Sequence, residues 1–181
     1  MTVTLTANVE PSHDDPTFAF GKRPRKATRL AVNEGGDGRL YITNSYGLGL
    51  LTETNPLGQL FAAYNIKPEP GYYLADTGIT PEGAGDEPLQ LKFLIEGAKK
   101  DNPIERTLLA GKPAFVDGGK AKNAGGLLAV FGDGPYVLTR QECIDVYIAG
   151  AVLWTSDGPR KPLTAWDADG GLLGLVMPVP K

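Results

Sequence analysis

Glycine-rich reversals set the scale of anything this chain can fold into. The run "RLAVNEGGDGRLYI" puts two β-rich segments on either side of Glu34-Gly35-Gly36-Asp37-Gly38. Glycines there supply the positive φ that a tight hairpin turn requires. "PLTAWDADGGLLGL" repeats the pattern around Asp167-Ala168-Asp169-Gly170-Gly171. With 24 glycines and 15 prolines in 181 residues, breaks come too often for long helices and favour short strands joined by turns. The pattern predicts an α+β fold: a β-rich single domain with antiparallel hairpins and two or three short helices. The likeness of the two hairpins suggests two similar β-halves.

Helices are expected where the apolar period lengthens. After Asn55-Pro56, Leu57, Leu60, Phe61 and Tyr64 recur at i, i+3, i+4 and i+7, which predicts a short helix ended by Pro68 and Pro70. "LQLKFLIEGAKK" fits strand or helix, and "PIERTLLAG" offers another helical turn or two. Thr139 with Glu142 forms a capping box, predicting a helix through "RQECIDVYIAGAVLW", although "AVLWTS" also fits a strand. Residues 1–27 read as an extended arm, and 28–181 as one β-rich domain with a Gly/Pro-rich insertion at about 65–135.

The last dozen residues, "GGLLGLVMPVPK", are unusually apolar for a terminus, where fraying exposes side chains. They are expected to form the second arm of the Asp-Gly hairpin, buried by the helix from Thr139. Pro178 and Pro180, which cannot donate to a ladder, would end the strand.

Catalytic chemistry finds little to work with. His13 is the sole histidine and lies in the polar arm, so a nucleophile–histidine pair has one possible base. Cys143 falls on the apolar face of the predicted helix, as a small buried hydrophobe does. One cysteine excludes an internal disulfide, and one Cys with one His cannot build a zinc site. "WDADGG" has the glycine too early for a calcium loop and no closing glutamate. "DGGKAKNAGG" lacks the phosphate-loop spacing. No metal, no cofactor and no enzymatic activity are expected. The N-terminus lacks a basic region followed by an apolar run, and no run approaches the ~20 apolar residues of a membrane span. The expected setting is cytoplasmic, with no membrane partner.

Net charge is −3, so contact with nucleic acid would need a local patch. Lys22, Arg23, Arg25, Lys26 and Arg29 provide one within eight residues.

"LLGLVMPV", preceded by "SDGPRKPLTAW", resembles the C-terminal end of the bacterial DNA polymerase sliding clamp, the β clamp. "GRLYITNSYGLGLL" is similar to that family's strand pair, with Asn44 and Gly47 standing where it has an acid and an arginine. "PGYYLADTGITPEG" resembles a strand and loop of clamp-like sequences from phages and plasmids. The likeness covers the last 45 residues and, more loosely, 28–52. A clamp chain carries three such domains, and this one has room for one.

The resemblance implies that Leu175, Met177 and Pro178 wall a pocket for short linear motifs of replication proteins. It also implies a homo-oligomer around duplex DNA, contacted without base readout. The predicted helix 139–153 sets one basic residue, Arg140, against Glu142 and Asp145, so the DNA contact falls to the stretch 22–29. The alternative expectation is a structural or assembly protein, such as a phage virion component, whose N-terminal arm packs on neighbouring subunits.

Overall fold

A computed structural model describes residues 28–54, 56–75, 78–83, 87–100, 109–121, 124–132, 134, 136–140, 143–144, 148 and 150–179. Lys22, Arg23, Arg25, Lys26 and the arm 1–27 lie outside the described residues, as does the helical turn expected after Pro103.

The strands are β1 (Thr28–Glu34), β2 (Leu40–Thr43), β3 (Gly47–Leu50), β4 (Gly71–Ala75), β5 (Ile79–Pro81), β6 (Leu109–Gly111), β7 (Ala114–Ala121), β8 (Ala124–Val130), β9 (Tyr136–Arg140), β10 (Leu153–Ser156), β11 (Leu163–Trp166) and β12 (Leu172–Val176). Among the described residues two helices join them, α1 (Pro56–Ala63) and α2 (Lys92–Lys100). Nine strands form an antiparallel sheet in the order β5-β4-β1-β2-β3-β12-β11-β10-β6, and β7-β8-β9 form a second. The molecule is therefore an α+β, β-rich domain built from hairpins. The stretch 65–135 contributes β4, β5 and β6 to the large sheet, β7 and β8 to the small one, and α2.

Both predicted hairpins form. Val32 faces Ile42 across β1–β2, and Leu163 faces Val176 across β11–β12. β3 and β12 pair at the sheet centre, with Leu48 opposite Leu175. Two three-stranded meanders, β1-β2-β3 and β10-β11-β12, thus meet edge to edge. In that arrangement β1–β2 corresponds in position to β10–β11, whereas its likeness in sequence is to β11–β12. The shared motif reflects shared turn chemistry and not an equivalent place in the sheet.

Strand side chains alternate between faces, and here each face has its own cover. Leu30, Val32, Ile42, Trp154, Leu163, Ala165 and Val176 pack with Leu57, Leu60 and Phe61 of α1, with Ala129, Phe131 and Val137 of the small sheet, and with Cys143, Ile144 and Ile148. Tyr41, Leu48, Leu50, Trp166, Leu172 and Leu175 pack on the other face with Leu91, Ile95 and Ala98. All four residues of β3 and of β11 are consequently buried. A strand covered on both sides reads as a continuous apolar run without alternation.

α1 forms as its spacing predicts, starting at Pro56 with Leu57, Leu60 and Phe61 buried and Tyr64 partly buried against the same core. Gly58 allows its close approach, since a Cβ there would stand 1.5 Å from the Thr52 carbonyl oxygen. The ambiguous "LQLKFLIEGAKK" resolves as helix. Leu91, Ile95 and Ala98 follow the helical period onto the sheet, while Phe93 is 78% exposed and Leu94 is 49% exposed.

The helix expected from Thr139 is corrected. Thr139 lies in β9, opposite Leu127 of β8, and is buried with no hydrogen-bond partner on its hydroxyl. The ladder has overridden the capping signal. Helical structure comes later, at Cys143–Ile144, where the Ile148 amide donates to the Ile144 carbonyl (3.3 Å), and "LWTS" is β10. Among the described residues no helix is long and apolar enough to cross a membrane.

Candidate functional site

The apolar tail joins the two sheets. The Met177 amide donates to the Tyr46 carbonyl (2.8 Å), extending the β12–β3 ladder into the β2–β3 turn, and the Val179 amide donates to the Leu138 carbonyl of β9 (2.8 Å). Pro178 sits between these two donors and bridges to Thr139. Its missing N–H costs nothing there, because the ladder asks for donors only at 177 and 179.

The three residues singled out in the tail have different surroundings. Leu175 is 7% exposed and belongs to the α2-side core, whereas Met177 is 40% exposed. Pro178 is half-buried and Val179 is buried.

Two neighbours complete this rim. The guanidinium of Arg140 lies 3.9 Å from the centre of the Tyr46 ring, a cation–π distance, and its buried Nε has no hydrogen-bond partner among the described residues. Tyr46 is 49% exposed. Its turn is tied by Asn44, whose side-chain oxygen accepts from the amides of Tyr46 (2.9 Å) and Gly47 (2.8 Å). Thr43 Oγ1 donates to the Gly47 carbonyl (2.6 Å) and accepts from the Ser45 amide (3.0 Å). Asn44 and Gly47, the departures from the clamp pattern, thus serve the turn itself. The rim brings together residues 46, 140 and 177, and sequence spacing gave no sign of Tyr46 or Arg140 as its members.

Of the basic stretch, Arg29 is within the described residues. It makes a two-pronged contact with Glu82, Nε and Nη2 both donating to Oε2 at 3.0 and 2.8 Å. It also stacks 3.6 Å from the centre of the Tyr72 ring. Its charge is answered within its own chain.

At the other end of the large sheet the two Asp-Gly turns lie side by side. β2 and β12 both run antiparallel to β3, so both turns open at the same end. Between them and the last turn of α2 is a cleft of about 430 Å³, lined by Asp37, Arg39, Tyr41, Lys99, Trp166 and the segment Gly170–Leu172. Asp37 Oδ1 accepts from the Arg39 amide (3.0 Å) and Oδ2 accepts from Tyr41 Oη (2.6 Å) and Lys99 Nζ (2.7 Å). Partial burial would raise the Asp37 pKa, but the hydrogen bonds from Lys99, Tyr41 and the Arg39 amide, with the Lys99 charge, outweigh it and hold it below the ordinary 3.8. Burial, and then the bond to Asp37, push the Tyr41 hydroxyl well above its usual range.

"WDADGG" is a turn: Asp167 Oδ1 accepts from the amides of Asp169 (2.9 Å) and Gly171 (2.7 Å), and Gly170 has φ +79°. Cys143 is fully buried in the core. Among the described residues, no three His, Cys, Asp or Glu side chains group as a metal site. Comparison of the chain with protein-family models, with curated proteins and with solved structures found no match.

Proposed function

We propose that this protein acts by docking and not by catalysis, as a sliding-clamp-like subunit that self-associates, contacts duplex DNA without base readout and holds partner peptides at the Met177 rim. One observation carries the reading: Met177 presents an exposed side chain on backbone hydrogen-bonded to both sheets, beside the Tyr46–Arg140 pair. A flexible, polarizable thioether on the residue whose amide bonds the Tyr46 carbonyl suits a surface that accepts several ligands. Contact with phosphates runs through Lys22, Arg23, Arg25 and Lys26, with a smaller share for Arg29, which must leave Glu82 to reach DNA.

The test is the native mass with and without circular duplex DNA, together with binding of clamp-recognition peptides. The reading expects a closed oligomer retained on circular DNA in a salt-sensitive way. It also expects Met177→Ala to weaken peptide binding at least about tenfold, roughly 1.4 kcal/mol, with unchanged unfolding. A monomer that binds neither DNA nor peptide removes it. A loss of about 2–5 kcal/mol in stability with Met177→Ala would assign that side chain to the core.

A second reading, an assembly protein such as a virion component, is favoured by the exposed apolar side chains Phe93 and Leu94 on α2 and Leu89 before it, since apolar side chains exposed on one element offer surface for a partner to cover. Large open or shell-like assemblies, indifferent to DNA, would decide for it.

A further inference from the structure

The cleft at the turn end has one-sided polar capacity. Its one lining carboxylate, Asp37, already accepts three hydrogen bonds across both oxygens. Asp167 beside it accepts from two turn amides, and the Gly170 amide donates to the Asp167 carbonyl (3.2 Å). Asp169 is on the same turn but does not line the cleft. The unspent groups are donors. Lys99 gives one ammonium N–H to Asp37 and keeps two. Arg39 is exposed, and among the described residues no carboxylate pairs with its guanidinium.

The base is apolar. Tyr41, Trp166 and Leu172 are buried at 0, 2 and 3% exposure. Cations beside a poorly hydrated floor attract an anion more strongly than the same cations in open water. The volume falls in the range of small-ligand sites, roughly 300–1,000 Å³.

We propose that this cleft binds the oxyanion group of a small ligand, a carboxylate or a phosphate, with Arg39 gripping two of its oxygens and Lys99 a third contact. The ligand's apolar part rests against Trp166 and Leu172. Lys99 is held in place for this by Asp37, whose carboxylate stays ionised under the three donors. The site lies at the opposite end of the sheet from Met177 and does not depend on peptide docking.

The test is a titration of the full chain at low ionic strength with inorganic phosphate, acetate and benzoate, read from backbone amide shifts. Saturable shifts centred on Arg39, Gly170, Gly171 and Leu172 are expected with at least one anion, and benzoate should bind more tightly than acetate if the ligand is a carboxylate. Phosphate saturating alone would assign the phosphate class. Arg39→Gln, and separately Lys99→Gln, should weaken the binding at least about tenfold, whereas Lys67→Gln, at an exposed lysine outside the cleft, should leave it unchanged. Shifts that never saturate, that map elsewhere, or that are equal in Arg39→Gln overturn the proposal.

Discussion

The two Asp-Gly hairpins flank β3, open at the same end of the sheet and hold their turns by partly different means. In the β11–β12 turn, Asp167 closes on itself, taking the amides of Asp169 and Gly171. In the β1–β2 turn, Glu34 takes the Gly38 amide (3.1 Å), as Asp167 takes that of Gly171, while Asp37 takes the Arg39 amide and then reaches outward to Tyr41 and to Lys99 of α2. A similar Asp-Gly motif therefore makes a self-contained turn in one place and, in the other, a turn that is also a tie between sheet and helix. The difference comes from the second carboxylate oxygen, which finds tertiary partners only at Asp37.

The aromatic anchors beneath the turns give the largest test. Trp166 is 2% exposed, and its Nε1 donates to Thr155 Oγ1 on β10 (2.8 Å). Trp166→Ala should cost about 3–5 kcal/mol in denaturant unfolding, with a hydroxyl left behind in the core. Tyr41→Phe keeps the ring and removes only the bond to Asp37, so about 1 kcal/mol is expected. If Tyr41→Phe proved the more damaging, the tie through Asp37 would outweigh the packing of the anchors.

Next come the two carboxylates themselves. Asp37→Asn weakens acceptors for the buried Tyr41 hydroxyl and the Lys99 ammonium, and about 1–3 kcal/mol is expected. Asp167→Asn keeps an oxygen for both turn amides and should cost less than about 1 kcal/mol. Acid sharpens the contrast. Because the folded pKa of Asp37 is depressed, its contribution is fully present above its unfolded value near 3.8 and is lost as pH falls through the folded value. The wild type should lose stability below about pH 4 more steeply than Asp37→Asn. Parallel acid curves for the two proteins would show that Asp37 is no better placed than a solvated carboxylate.

Both hairpins were legible because Asp-Gly turns are local: the residues that reverse the chain are neighbours in sequence. α1 was legible for a similar reason, its apolar period being uninterrupted from Leu57 to Tyr64. Thr139 misled because a capping box is also a local signal, and the competing ladder to Leu127 lies outside the window in which the box is read. Nothing local announces that β3 pairs with β12, since Leu48 and Leu175 meet only when the meanders close. Both candidate sites inherit that difficulty. The rim needs Tyr46, Arg140 and Met177 from three parts of the chain, and the cleft needs Arg39, Lys99 and Trp166. The resemblance grouped Leu175 with Met177, and residues two apart on a strand share a face, so nothing in the sequence separates their surroundings. Leu175 packs with Leu91 and Ile95 in one cluster, whereas Met177 follows the last residue of β12 and is exposed.

The smallest effect belongs to the Lys99–Asp37 pair alone. Lys99→Met preserves the aliphatic stem and removes the ammonium. The Lys99 side chain is 43% exposed and that of Asp37 is 17% exposed. Water therefore screens much of the attraction, and a cost of about 0.2–1 kcal/mol is expected, shrinking as salt rises. The sharper quantity is the coupling in a double-mutant cycle with Asp37→Asn. Residues in contact typically couple by about 0.5 kcal/mol or more, against an additivity error of about 0.3–0.5. Coupling above that error, together with faster hydrogen exchange in α2 for either single variant, identifies Asp37 as a tie between hairpin and helix. Coupling within the error, with α2 exchange unchanged, would mean that the Asp37 turn stands on Glu34, the Arg39 amide and Tyr41, and the contrast with Asp167 would reduce to one hydroxyl.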